Sequence, residues 1–540
     1  MTKTNGPIVL INPLYRVNWE YVEDNPAASL PLGLLSIGTV LAEKGYQVKI
    51  IDACTNPDYE QEIEKIIKEK PLFIGISAMT AHVYSALNIA RLIRKNDLTC
   101  SIPLIWGGIH PTIFPETTAE NRFVDIVVVG LGEWTCVDIA NELSANDKPE
   151  LRKIPGIVFR ENGKIVRTAQ REFIDINTLP YINYDLIDIE KYICRSLGYG
   201  SEIKRRSLTL YTGIGCPFRC TFCANVTLHN RRYSGKSAQR ILGEIGFFKK
   251  KYSVEYISFC DELFFVNRNR VKEFLDGMEE RNYKIEWYAN IRADCFRQDF
   301  LTEDMIAQMK RLGCNRLGMG VESGSQRILD EVLKKDIKLG YVLEAARLCS
   351  KYDITVGYSF MMGLPGERRE ETIKTINLMR KLKKLHPKCF FFGPQVYIPF
   401  PGSELYRQAV KLGFKDPQDL ESWAMIESNK NLQGKLSGEY LWNSFDPASL
   451  PWLEHVSLIR HIDFMQNFLF RDLKTIKFDY KYPIKIMYVF IARFRVKAIF
   501  WNFPLEFWLY QFLVSINKKI NQQIKKTASR YIKQKNIDCN

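Results

Sequence analysis

No apolar leader opens this sequence: Met1-Thr2-Lys3-Thr4-Asn5-Gly6-Pro7 runs straight into a short apolar strand. Its thirteen cysteines are therefore not expected to form an extracellular disulfide framework, and the expected compartment is the reducing cytoplasm. Missing too is any unbroken stretch of about 20 apolar residues, the length a membrane-spanning helix needs. The most aromatic stretch, 498–516, is interrupted by Asn502, Pro504, Glu506 and Gln511. No Gly-x-Gly-x-x-Gly opens the first predicted helix, which disfavours a dinucleotide. Nor is the body of the chain basic. Residues 471–540 hold fifteen Lys and Arg against four Asp and Glu, so +11 of the net charge of +15 belongs to this tail. With the first 470 residues nearly balanced, no nucleic acid is expected as a partner.

With 540 residues, 46% of them hydrophobic, the chain can build two or three cores. Its most informative feature is the run Gly215-Cys216-Pro217-Phe218-Arg219-Cys220-Thr221-Phe222-Cys223. Three thiolates this close along a loop suit three irons of a four-iron, four-sulfur cube. No fourth cysteine stands nearby, so one iron is left open to another ligand. Zinc is the competing reading, but it favours two separated pairs and four ligands. Here the next cysteine, Cys260, lies 37 residues on, and the only close histidine is His229. The triad also follows an apolar strand, Leu208–Gly215, where a barrel would carry a catalytic loop.

Hydrophobic periodicity divides the chain into four parts. Over 1–150, apolar runs at Ile8–Ile11, Val48–Ile51, Leu72–Ile76, Leu104–Trp106 and Ile126–Val129 alternate with amphipathic segments such as Gly33–Glu43 and Val83–Arg94. That alternation predicts a doubly wound, Rossmann-like parallel sheet. Ligands bind such sheets at the carboxyl ends of the strands, which here carry Ser77 to Thr80, Gly107-Gly108-Ile109-His110-Pro111 and Gly130-Leu131-Gly132-Glu133. Residues 151–202 form a connector whose Asn162-Gly163 predicts a hairpin. Over 203–410, strands near 207, 255, 286, 316, 355 and 394 alternate with helices in six units. The remainder, 411–540, is mainly helical.

The Cys-x3-Cys-x2-Cys spacing resembles the signature of radical S-adenosylmethionine (SAM) enzymes. Together with the Pro31-Leu32-Gly33 helix entry and the Gly-Gly-x-His-Pro and Gly-x-Gly-Glu turns, the chain to about residue 410 resembles the cobalamin-binding radical SAM family. The resemblance implies a partial (β/α)6 barrel, a 4Fe-4S cluster on Cys216, Cys220 and Cys223, SAM on the open iron, and cobalamin. It implies SAM contacts from Phe222, from Asp261 or Glu262, from Arg292 and from Glu322, all at family-like positions. Bland roles compete at each: a helix cap for the acidic pair, a surface pairing of Arg292 with Asp294, a core position for Phe222. Ser77, Thr80, Gly107, Gly108, Gly130 and Glu133 are the implied cobalamin contacts. Because no histidine has an aspartate two residues before it, the Asp-x-His-x-x-Gly motif is absent, and cobalamin is expected without a protein histidine on cobalt. His110 is read as a turn-stabilising group.

The activity implied is generation of a 5′-deoxyadenosyl radical and methylation of an unactivated carbon on an apolar or membrane-associated small molecule. The electron donor would be a flavodoxin or ferredoxin, and the oxygen-labile cluster implies anaerobic work. An oxidative cyclase of the magnesium-protoporphyrin monomethyl ester type is the alternative. An RNA-modifying enzyme is disfavoured because Cys54, Cys100 and Cys136 are scattered singly, and an electron carrier would need neither six barrel units nor an open iron. In the tail, Ile486–Ala492, Arg493, Arg495, Lys497, Trp501 and Trp508 suggest amphipathic helices peripheral to the inner face of a membrane. The competing reading is a helical subdomain packed on the barrel.

Overall fold

The computed structural model describes residues 6–14, 30–95, 102–146, 148–193, 205–428, 450–465, 469–470 and 482–498. Five strands, β1 (Ile8–Asn12), β2 (Val48–Asp52), β3 (Phe73–Ser77), β4 (Leu104–Gly107) and β5 (Ile126–Val128), run parallel in the order 2-1-3-4-5. The unbroken apolar run of β1 follows from burial on both faces. Val9 and Ile11 pack on one side of the sheet, while Ile8 and Leu10 pack on the other against the helices Leu32–Glu43 and Glu133–Ala145.

The hairpin of β6 (Ile157–Glu161) and β7 (Lys164–Arg167) forms as expected, turning on Asn162 and Gly163 at φ of +50° and +76°. It does not stand apart as a connector. β6 pairs antiparallel with β5, so the hairpin completes a seven-stranded sheet.

The rest of the connector binds both neighbours. Tyr192 donates to Asp52 at 2.6 Å and the Asn183 amide to Thr39 at 2.9 Å, on the side of the first sheet. On the other side Arg240, from the barrel helix Ala238–Tyr252, donates to the carbonyls of Asn177 (2.9 Å), Leu179 (2.6 Å) and Pro180 (2.7 Å). A guanidinium with five donors satisfies in one stroke carbonyls that a loop leaves unpaired.

The barrel begins with β8 (Ser207–Leu210). The sequence predicts one strand to Gly215, but the chain breaks at Tyr211-Thr212. It resumes as β9 (Gly213–Gly215), which pairs antiparallel with β10 (Tyr233–Gly235). Then β11 (Tyr256–Phe259), β12 (Glu286–Ile291), β13 (Cys314–Glu322), β14 (Thr355–Met362) and β15 (Phe390–Val396) follow β8 in a six-stranded parallel sheet in chain order. This is the partial barrel expected. The edge strand β15 is covered by the helix Leu450–Met465, which resolves the exposed-edge problem.

Beyond it the described chain is helical. The helix Leu420–Ser428 returns to the first domain and lies on the helix Val83–Arg94, with Glu421 accepting from Asn121 at 3.0 Å and Trp423 against the His110 ring at 5.5 Å. Among the described residues no helix is long and apolar enough to cross a membrane. Trp501 and Trp508 lie outside the described residues.

Candidate active site

Cys216, Cys220 and Cys223 sit on the loop between β9 and the short helix Asn225–His229, half-buried and free of disulfides. The loop begins where only glycine fits. Gly215 has φ +83°, and a Cβ there would lie 2.2 Å from the Arg232 carbonyl oxygen. Gly215→Ala is expected to cost about 2–5 kcal/mol, from left-handed backbone strain plus overpacking, read as a lower thermal midpoint and lower iron content per chain.

Thr221, at the loop's centre, is pinned. Its amide donates to the Leu333 carbonyl at 3.0 Å, its hydroxyl to the Val332 carbonyl at 2.6 Å, and its carbonyl accepts from the Leu405 amide at 2.9 Å. Arg219 adds a two-pronged pair with Asp336 at 2.8 and 2.9 Å. The segment 332–336, which follows the wide turn Ile328–Val332, thus clasps the cysteine loop from outside. Burial pushes the Cys216 thiol up and the Cys223 thiol to about 11, and both are raised further by Cys220. The three sulfurs share one small region.

The acidic pair after β11 divides. Asp261 is 1% exposed and accepts from both the amide and the hydroxyl of Thr212. That capture breaks the strand at Thr212. Glu262 points the other way: its side chain is one-third exposed and approaches the His229 ring at 4.0 Å. Burial raises its carboxyl, as does Asp261, against hydrogen bonds from the Glu262 and Gly215 amides.

Arg292, just past β12, lies face-on over the Phe218 ring at 3.5 Å. Its Nε and Nη2 pair with Asp294 at 3.0 and 3.1 Å, and Nη2 also reaches the Lys335 carbonyl at 2.8 Å. The pairing with Asp294 is real but buried rather than superficial. Glu322 ends β13 at φ +72°, and its carboxylate meets the Lys335 ammonium at 3.2 Å and the Ser359 hydroxyl at 3.3 Å. The same ammonium lies 5.4 Å from the centre of the half-buried Phe222 ring. Lys335 carries no motif that sequence reasoning could have used, and Phe218 stands inside the cysteine run without a role assigned to it. They join the site because the 332–336 clasp and the cysteine loop fold against each other.

At the carboxyl edge of the first sheet, Ser77 ends β3 and Gly107 ends β4. Gly108 has φ +96°, with a Cβ position 3.0 Å from the Ala78 backbone, so the turn folds tightly over the end of β3. Thr80 bonds His110 Nδ1 at 3.2 Å. His110 is wholly buried between Phe114 and Trp423, a turn-stabilising position with no surface to offer a metal. Gly130 is exposed, with nothing within 4 Å of its Cβ position. Glu133 is not at the edge: it is 4% exposed and accepts from Ser36 at 2.8 Å. Burial raises its carboxyl above the usual range.

The two edges meet. The helix Ile109–Ile113 packs on Asn225–His229, directly after Cys223, and the Cβ position of Gly402 lies 3.0 Å from Ile113.

Comparison with known proteins agrees with this geometry. The model of the radical SAM superfamily matches residues 210–379 and that of the B12 binding domain residues 27–140. An uncharacterized methyltransferase of Pyrococcus horikoshii is 30% identical over 383 residues, covering 70% of this chain and 78% of that one. The chain belongs to the cobalamin-binding radical SAM family. A cytidylyl-2-hydroxyethylphosphonate methyltransferase of Streptomyces wedmorensis is 24% identical over 497 residues, 83% of this chain and 89% of the relative. The solved structure of the cobalamin-dependent SAM radical enzyme OxsB, with aqua-cobalamin and SAM bound, superposes with a TM-score of 0.66 at 18% identity, covering 96% of this chain and 81% of that one.

As a family member the protein is a radical SAM enzyme whose cofactors are a 4Fe-4S cluster, SAM and cobalamin. The side chains fit those groups. Among the described residues no three His, Cys, Asp or Glu side chains converge on a single-ion position. A cube makes a different demand, because each cysteine takes its own iron. Buried thiols raised in pKa are held as thiolates once they ligate metal. At the carboxyl edge of the first sheet Gly130 leaves open space, with nothing within 4 Å of its Cβ position.

Proposed function

We propose that this enzyme methylates an unactivated carbon of an apolar, membrane-associated small molecule in the cleft between the barrel mouth and the first sheet. The observation that carries this reading is the meeting of the two strand-end edges at Ile113, Gly402 and the helix Asn225–His229. Apolar side chains stand open on both. Met79 (42%) and Ile109 (40%) are exposed on the first sheet's edge, and Ile398 (41%) and Phe400 (64%) beyond the last barrel strand. Exposed apolar clusters at a cleft favour an apolar ligand.

In this reading Cys216, Cys220 and Cys223 hold the cluster. Glu262 receives the SAM ammonium, Arg292 its carboxylate through the Nη1 not engaged by Asp294, Glu322 its ribose or amino group, and Phe222 packs beside the adenine. Ser77, Thr80, Gly107, Gly108 and Gly130 border cobalamin. Asp261 and Glu133 act by holding the fold. When bound, the cofactors supply one-electron cleavage of SAM and methyl transfer. A flavodoxin or ferredoxin supplies the electron, and the basic tail, 471–540, holds the enzyme at the cytoplasmic face of a membrane.

Anaerobic reconstitution with iron, sulfide and hydroxocobalamin, followed by incubation with SAM, reductant and an apolar cell extract, tests the reaction. Expected are 5′-deoxyadenosine and S-adenosylhomocysteine in comparable amounts, both rising with the extract. Deoxyadenosine without S-adenosylhomocysteine would point to oxidative cyclisation instead, and stimulation only by the aqueous extract would overturn the apolar substrate.

A further inference from the structure

Resting on the reading that the basic tail meets a membrane, we infer that the helix Tyr482–Ala498 docks on an anionic lipid bilayer through an outward ridge of Met487, Phe490 and Phe494. These residues stand three and four positions apart, so they share one face. They are 46%, 56% and 62% exposed. The opposite face is turned to the barrel. Val489 and Ala492 have no exposed surface, Arg495 has 5%, and the helix packs on Arg369–Leu385 of the barrel.

The helix is thus apolar on two sides, and the barrel satisfies one of them. Large apolar side chains lined up in water are the mark of a surface that meets something apolar. The charge identifies the occupant. Residues 471–540 carry fifteen Lys and Arg against four Asp and Glu, and the span 482–498 contains no Asp or Glu. A protein partner or second copy would need a dense acidic rim to match that field, whereas an anionic bilayer supplies phosphate and carboxylate charge over an apolar interior. No described helix is long and apolar enough to cross the membrane, so this one lies along it.

The test is flotation of the full-length protein, at physiological salt, with vesicles of phosphatidylcholine containing phosphatidylserine and with vesicles of phosphatidylcholine alone. Wild type should float with the anionic vesicles and much less with the neutral ones. The double variant Phe490→Glu/Phe494→Glu should lose at least about tenfold in bound fraction, since two large apolar groups are replaced by charge. Its thermal midpoint and iron content should stay at wild-type values.

If wild type floats and the folded double variant floats equally, the ridge is wrong while the tail reading stands. If wild type does not float, the tail reading falls and the ridge with it. Should the double variant not fold, Phe490→Trp gives an independent readout. Its added fluorescence should shift to the blue and be quenched by brominated lipid, and no quenching beyond that of wild type would overturn the inference.

Discussion

Cys220→Ser is expected to abolish the visible absorbance of the reconstituted protein and to reduce SAM cleavage to background, while Cys260→Ser changes neither. The contrast depends on where the two thiols sit. Cys220 lies in the loop pinned at Thr221, where three sulfurs share one small region. Cys260 lies outside that loop, just past β11 and exposed. A serine oxygen is a poor substitute for thiolate on an iron–sulfur cluster, so the loss at Cys220 should be nearly complete. Iron and sulfide analysis together with deoxyadenosine release checks it. Equal loss from both variants would mean that Cys260 serves the cluster, and the open iron would then be gone.

The second large effect separates two adjacent carboxylates. Asp261→Ala leaves the Thr212 amide and hydroxyl without their shared acceptor in a buried site, at about 1–3 kcal/mol for each unsatisfied group. A drop of several degrees in thermal midpoint should follow, with loss of the break that lets β9 pair with β10. Asp261→Asn should recover most of it, because the amide oxygen still accepts from the Thr212 amide and the amide nitrogen can donate to the hydroxyl.

Glu262→Gln should behave in the opposite way. The glutamine oxygen can still accept from the Gly215 amide, so the melting temperature should hold. If it receives the SAM ammonium, removal of one charge-assisted hydrogen bond weakens SAM binding by about ten- to a hundredfold. Equilibrium dialysis of SAM against the cluster-loaded protein reads this directly. A stable Asp261→Ala protein with weakened SAM binding would reverse the two roles.

Much of this architecture was legible because it rests on local pattern. The apolar runs of β1, β3 and β4 stand in the sequence at their observed places, since a parallel strand buried on both faces must be apolar along its length. The barrel strands stand at theirs too, although strands such as β12, Glu286–Ile291, bury only alternate residues. Three things were not legible, all for one physical reason. The division of Asp261 from Glu262 depends on Thr212, far away in sequence. Strand alternation cannot decide it, because the regular pleat ends at Phe259. Lys335 gains its place from contacts between two loops, neither of which has a periodic signal. The docking of Leu420–Ser428 on the first domain turns on Trp423 meeting His110, a pairing that no window of neighbouring residues contains. The hairpin at Asn162-Gly163 shows the converse. Its turn was plain from two residues, but that it would extend the first sheet was decided by the free edge of β5.

That return of Leu420–Ser428 gives the enzyme a closed mechanical circuit. The polypeptide leaves the first domain through the stretch bound by Arg240, passes through the whole barrel, and is fastened back where it started. A module tethered by a single linker can swing open like a door, whereas one secured at entry and exit can only breathe. The spacing between the two cofactor stations is then set by the chain's own covalent loop, and excising the chain from Leu420 onward would unfasten the stations rather than merely shorten the protein.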